Sequence, residues 1–178
     1  LLPVFVDCNL DDLNLDVDKL EQAIGPKTRA ITLVHVYGNP CNMDAITALA
    51  KRRNLWLIED SCEAMGASYN GQAVGTFGHA GSFSLFFSHH ISTLEGGLSV
   101  ANDFDLAETM RILRAHGWSR EADEHRKYVD MYPEIDPRFL FINTGYNLRP
   151  TEVNAAIGLH QLPKLMPYIN TRQEVAAY

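Results

Sequence analysis

Long apolar runs are absent from this chain. The longest, such as Ala30 to Val36, falls well short of the roughly 20 residues that cross a bilayer, and the opening Leu1-Leu2-Pro3 carries no basic segment. No membrane partner is expected, and a soluble, cytoplasmic protein is. Positive charge is also in deficit: 15 Lys+Arg stand against 22 Asp+Glu, for a formal charge of -7, with no basic run to track a phosphate backbone. A nucleic-acid partner is therefore not expected. Cysteine is scarce, and Cys8, Cys41 and Cys62 have neither the density of a disulfide framework nor the paired spacing of a metal site. They read as thiols in a reducing compartment. Internal repeats and low-complexity segments are missing as well. What remains is 178 residues with 46% apolar and 21% charged content, the mixture of an ordinary globular core.

Short β-branched runs alternate with helical stretches, a pattern that generates a doubly wound α/β sheet, parallel strands with helices on both faces. Leu2 to Asp7 reads as the first strand and Asp16 to Ile24 as an amphipathic helix broken by Gly25-Pro26. Ala30 to Val36 reads as a central strand buried on both faces, Asp44 to Arg53 as a helix, and Leu55 to Asp60 as another buried strand ending in two acids. Strands are expected at Ser82 to Phe87 and Gly97 to Ala101, and helices at Asp105 to His116 and Pro150 to Leu162. Between them, Gly117 to Asn143 shows charge, two prolines and little periodicity, which reads as a long excursion with a functional or interface role. A strand at the first residues and a helical pattern still running from Asn170 to Tyr178 suggest a segment of a longer protein.

Three pieces carry chemistry. Asp60, at the carboxyl end of a buried parallel strand, sits where open α/β sheets bind ligands; it reads either as the carboxylate that faces a ligand cation or as the cap of the next turn. Ser82 to Gly97 gathers hydroxyls, two adjacent histidines and a Gly-Gly pair after a strand, which suits a phosphate cup with a base beside it. Adjacent histidines on a strand point to opposite faces, so one of His89 and His90 reaches a common site and the other is structural. A zinc site would need a third ligand such as His35, His79 or His116, and nothing in the spacing favours one. Gly145 to Pro150 opens a helix where an anion could sit, although capping and packing is the stronger reading of that piece alone.

Taken in order, IEDSCEAMGASYNG, GSFSLFF, TLEGG and GYNLRPTEVNAAIGLHQL, preceded by LPVFVD and the turn at Val36-Tyr37-Gly38 with Met43-Asp44, resemble the nucleotide-sugar aminotransferase family of pyridoxal-phosphate enzymes. The resemblance covers nearly the whole chain and implies the large domain of the aspartate-aminotransferase (type I) fold. It implies that residues 1–162 form part of the large domain and that residues 163–178 begin the connection to a small C-terminal domain. It further implies a pyridoxal 5'-phosphate or pyridoxamine 5'-phosphate cofactor, with Asp60 on the pyridinium nitrogen and Ser84 on the phosphate. Asn147 would reach the phosphate of a neighbouring subunit, so the resemblance implies a homodimer with sites at its interface.

One departure bears on the reaction. Aminotransferases of this family carry a lysine before the Thr-Gly-Glu-Gly-Gly-like turn, where its amine tethers the cofactor and shuttles the proton. His89 stands there, and none of Lys19, Lys27, Lys51, Lys127 and Lys164 lies near it in sequence. An imidazole, which exchanges protons near neutral pH, becomes the available acid and base, with the cofactor held non-covalently. The same exchange marks the sugar 3-dehydratase branch, as does an acid at the position of Glu63, where most of the family has a Gln against the ring hydroxyl. The iron–sulfur type of that branch needs cysteines after the stretch matching Arg114 to Arg120, and none is present. The resemblance thus implies a cluster-free dehydratase acting on a nucleotide-linked 4-keto-6-deoxy sugar for surface polysaccharides such as lipopolysaccharide O-antigen, with an amino donor such as glutamate. An ordinary sugar aminotransferase and an inactive member of the fold are the alternatives.

Overall fold

The computed structural model describes residues 1–177, in two compact units. The first comprises Leu1–Ala101 together with the chain from Glu152 onward, and the second is Asn102–Thr151.

In the first unit, helix α1 (Val17–Ala23) begins at Asp16, whose carboxylate accepts the amides of Asp18 and Lys19, and it buries Leu20. Strand β1 (Ala30–Val34) leads through a tight turn to α2 (Met43–Arg53), capped by Asn42 on the Ala45 amide. Lys51, Arg52 and Arg53 complement the carboxyl end of α2, and Asn54 leaves it in the left-handed conformation. Strand β2 (Trp56–Asp60) follows, then a small hairpin of β3 (Ser68–Tyr69) and β4 (Gln72–Ala73), then β5 (Ala80–Ser84) and β6 (Gly97–Ala101). The main sheet has the order β1-β2-β5-β6, with the first three strands parallel and β6 antiparallel to β5. Helices α5 (Glu152–Gln161) and α6 (Leu165–Ala176) complete this unit. The core joins Ile31, Leu33 and Leu57 of the strands to Leu20, Met43, Ile46 and Leu49 of the helices.

The mostly parallel α/β sheet expected from the alternating pattern is present. Three details differ. Residues 1–7 pair with no strand among the described residues; Asp7 meets Lys19 in an ion pair at 3.2 Å, the isolated bridge Cys8–Leu15 lies just beyond, and Leu2 and Phe5 are exposed. Strand propensity specifies an extended backbone, but a ladder needs a neighbour in register. Strand β1 lies at the end of the four-stranded sheet and is covered on one face only, as is β2: Ile31, Leu33 and Leu57 are buried while Val34, Trp56 and Ile58 are exposed. An apolar run shows that a strand can be covered twice, not that a layer packs on each side.

The second unit holds α3 (Phe104–Leu113), capped by Asp103 on the Leu106 amide, and the short helix α4 (His125–Met131). The latter is the third difference, since it lies inside the stretch read as an excursion. No residue of α4 is fully buried; His125, Tyr128 and Val129 are half-buried on one face, but a stripe of three residues in a seven-residue helix is too short to read as periodicity. Ser119 is buried there, its hydroxyl donating to the Leu140 carbonyl at 3.0 Å and lying 3.1 Å from His125 Nδ1.

Candidate active site

The carboxyl ends of β2 and β5 lie side by side, because Asp60 pairs in parallel register with Ser82. This brings Asp60 to the same sheet edge as Ser84, the last residue of β5. Asp60 Oδ1 accepts the Cys62 amide at 3.0 Å, so the capping reading of this residue is realised. Among the described residues its half-buried carboxylate forms no ion pair, although such a group gains most from a cation. That arrangement fits the protonated ring nitrogen of a pyridoxal-type cofactor. Burial and the Asp60 carboxylate raise the pKa of the Cys62 thiol, which therefore stays protonated beside it.

The preceding residue behaves in the opposite way. Glu59 is fully buried and accepts from Gly75 N at 2.7 Å, Phe77 N at 2.7 Å and Gly78 N at 2.6 Å, and from His35 Nε2 at 3.1 Å. Burial opposes its ionisation, but the His35 bond and the three amides outweigh it and hold the carboxyl below its ordinary range. The Cys41 amide donates to His35 Nδ1 at 3.1 Å, so the ring hydrogen must sit on Nε2 and point at Glu59. Cys41 is itself enclosed, and burial pushes its thiol up to about 11. His35 N also donates to the Asp60 carbonyl at 3.1 Å, which ties the end of β2 to the turn after β1. His35 thus serves this network, and His79 accepts the Leu57 amide at 3.0 Å beside the Trp56 ring. Glu59 and its amide cradle were missed by sequence reasoning; the clue was the second acid of the Glu-Asp pair.

Glu63 Oε2 accepts the Tyr37 amide at 3.2 Å and so meets the turn that follows β1. Tyr37 adopts φ 53° and Gly38 φ 83° there, and a Cβ on Gly38 would stand 3.2 Å from the Glu63 carbonyl oxygen, so the turn needs its glycine. Ser84 Oγ accepts the Phe86 amide at 3.2 Å, opening the loop that carries both histidines. His89 is half-buried, with its amide on the Phe86 carbonyl at 3.1 Å and its ring edge-on to Phe86 at 6.3 Å. His90 Nδ1 is buried without a partner among the described residues. Burial, with the Arg172 guanidinium and the neighbouring His89 ring, lowers the His90 pKa against the opposing pull of Glu63. His89, His90 and Glu63 therefore share one electrostatic neighbourhood, and His90 is kept neutral within it. Asn147 belongs to the second unit, where its backbone bridges Ala115 and the residue is exposed.

Residues 1–178 match the DegT/DnrJ/EryC1/StrS aminotransferase family. The chain is 45% identical over 175 residues to GDP-4-keto-6-deoxy-D-mannose 3-dehydratase of Yersinia pseudotuberculosis, covering 97% of this chain and 44% of that protein. It resembles the solved E. coli GDP-4-keto-6-deoxy-D-mannose-3-dehydratase with bound hydrated PLP, at a TM-score of 0.88 and 42% identity over 98% of this chain and 45% of that one. A histidine-to-asparagine variant of GDP-4-keto-6-deoxymannose-3-dehydratase with bound GDP-perosamine gives a TM-score of 0.89 at 40% identity, over 98% and 46% of the two chains. The chain thus spans a little under half the length of these relatives. No described helix is long and apolar enough to cross a membrane. A match running from the first residue to the last, on a backbone shared with PLP-binding relatives, means that the chain belongs to the DegT/DnrJ/EryC1/StrS aminotransferase family and has its PLP-dependent α/β fold.

Proposed function

We propose that this chain is part of a pyridoxamine-phosphate-dependent dehydratase that removes the C3 hydroxyl of a GDP-linked 4-keto-6-deoxy sugar in deoxysugar biosynthesis. The observation that carries this reading is His89, at the position of the family's lysine, in a loop that leaves the sheet next to the strand ends bearing Asp60 and Ser84. The names of the relatives support the substrate class.

Pyridoxamine phosphate supplies an amine for the sugar ketone and a ring that accepts electrons. Asp60 holds the proton on the ring nitrogen, and its lack of an ion pair among the described residues leaves it available for that cation. Ser84 binds the phosphate, and Glu63 faces the ring hydroxyl. The His89 imidazole removes the proton from the cofactor's C4′ carbon and returns one to the departing C3 hydroxyl. His90, kept neutral by burial and by Arg172, does not compete for that proton. Asn147 reaches the phosphate bound by a partner subunit, which makes the enzyme a homodimer with interfacial sites. Glutamate restores the amine form of the cofactor, and the enzyme works in the cytoplasm on precursors of surface polysaccharide. Residues 1–162 are part of the large domain and 163–178 the start of a connection to a small one, with residue 178 outside the described residues.

The test is to incubate the full-length protein with pyridoxamine phosphate and GDP-4-keto-6-deoxymannose. Ammonia release together with a 3-deoxy sugar is expected. An amino sugar would overturn the role of His89 and point to an aminotransferase.

A further inference from the structure

The loop bearing His89 leaves β5 after Ser84 and rejoins the sheet at Gly97. Its base is tied by its own backbone: Leu85 N donates to the Gly96 carbonyl at 2.9 Å and Thr93 N to the Leu85 carbonyl at 2.9 Å. Thr93 Oγ1 donates to the Glu95 carbonyl at 2.8 Å, and the Ile91 side chain is buried between the histidines and Thr93 in sequence. These bonds fix the loop's internal shape, but not its height above the rest of the unit.

That height is fixed from α5. Asn154 Nδ2 donates to the Thr93 carbonyl at 2.7 Å and to the Glu95 carbonyl at 3.1 Å. Both acceptors are carbonyls, so only the nitrogen of the amide can face them, and its orientation is settled. One helical turn further, on the same face of α5, a Cβ on Gly158 would come within 3.1 Å of Thr93 Cγ2. Thr93, 5% exposed, therefore rests between a two-pronged donor and a residue with no side chain.

We propose that Asn154 is a positioning residue: through the Thr93 and Glu95 carbonyls it seats the 85–96 loop and so places the His89 imidazole, with Gly158 supplying the clearance. This rests on the reading of His89 as the proton carrier. Asn154 touches neither cofactor nor substrate in this role; it acts through four residues of loop backbone.

Asn154→Asp tests it in the full-length dehydratase, because the side chain keeps its size while an oxygen replaces the nitrogen facing two carbonyls. The expected result is a kcat for 3-deoxy sugar formation lower by about 10- to 100-fold, with KM for the nucleotide sugar within about twofold. Amide exchange at Leu85 and Thr93 should quicken in the same variant. Gly158→Ala favours the helix but presses on Thr93, so kcat should fall without any loss of melting temperature. Unchanged exchange at Leu85 and Thr93 in Asn154→Asp overturns the proposal. So does faster exchange with wild-type kcat in a protein that His89→Asn inactivates. His89→Asn run in parallel separates the two claims: if it turns over normally, the reading of His89 fails, and the positioning role falls with it.

Discussion

Glu59 and Asp60 are neighbours in sequence and opposites in the structure. Glu59 is fully enclosed, with its carboxylate oxygens taking three backbone amides and the His35 ring. Asp60, one residue on, takes one amide and remains half-open at the sheet edge without an ion pair among the described residues. The period of a strand turns the two side chains to opposite faces, one into the packed network and the other toward the place where a ligand would lie. One acid is satisfied by the fold and holds it together; the other keeps unspent acceptor capacity at the end of its strand. Residue type alone does not separate these roles, whereas the number of donors already spent on each carboxylate does.

The sharpest way to break this contrast is Glu59→Ala, which leaves three buried amides and a ring N–H without an acceptor. A loss of about 3–5 kcal/mol is expected in urea unfolding, a large share of the stability of an ordinary domain. Next is His35→Leu, which strands the Cys41 amide and removes one donor from Glu59. Its cost should be about 2–3 kcal/mol, measured in the same way.

The pH dependence follows from the direction of the Glu59 shift. Its folded pKa lies below its unfolded value, so its contribution is present above the unfolded pKa and is lost as pH falls through the folded one. Stability measured from pH 6 downward should fall less steeply in Glu59→Gln than in the wild type. Asp60→Asn should do the reverse of the Glu59 variants. Asparagine also caps a turn, so stability should change by about 0.5 kcal/mol or less, while affinity for the cofactor falls at least about tenfold by absorbance titration. The smallest effect belongs to His90→Phe, which removes a buried ring nitrogen that has no partner among the described residues. The His90 pKa is lowered on folding, so in the wild type the unfolded chain takes up the proton first as pH falls below about 6.5, and stability is lost there. The variant should lose less stability than the wild type between pH 7 and pH 5, measured by urea unfolding at each pH.

Much of the site is legible in the sequence for physical reasons. A strand ending in an acid places that acid at the ligand edge of a parallel sheet, and Asp60 is found there. The hydroxyl-rich segment after a strand places Ser84 and His89 in one loop, and a histidine in place of the family's lysine changes the available chemistry. The two histidines lie beyond the end of β5, on bends rather than on the strand that alternation would require; both are half-buried, and His90 Nδ1 has no partner among the described residues. Other features could not be read. The Glu59 cradle draws on His35, 24 residues away, and on backbone amides 16 to 19 residues away, and amides carry no side-chain signature. Asn154 meets carbonyls 59 and 61 residues away, and an asparagine inside a helix looks like any other polar position. Helix α4 escaped because its half-buried face holds only His125, Tyr128 and Val129, too few positions in seven residues to announce a helical period.

The sequence by itself determined the family, the alternation of strand and helix, the absence of the family's lysine and the identity of the groups at the strand ends. Those properties are local, or follow from residue types in a fixed order. The tertiary structure alone decided which acid of the Glu-Asp pair is consumed by the fold, which strand lies at the end of the sheet, and which helix residue seats the His89 loop. Each of those depends on donors and surfaces brought together from distant parts of the chain, and a hydrogen bond or a covering layer exists only once both partners are in place.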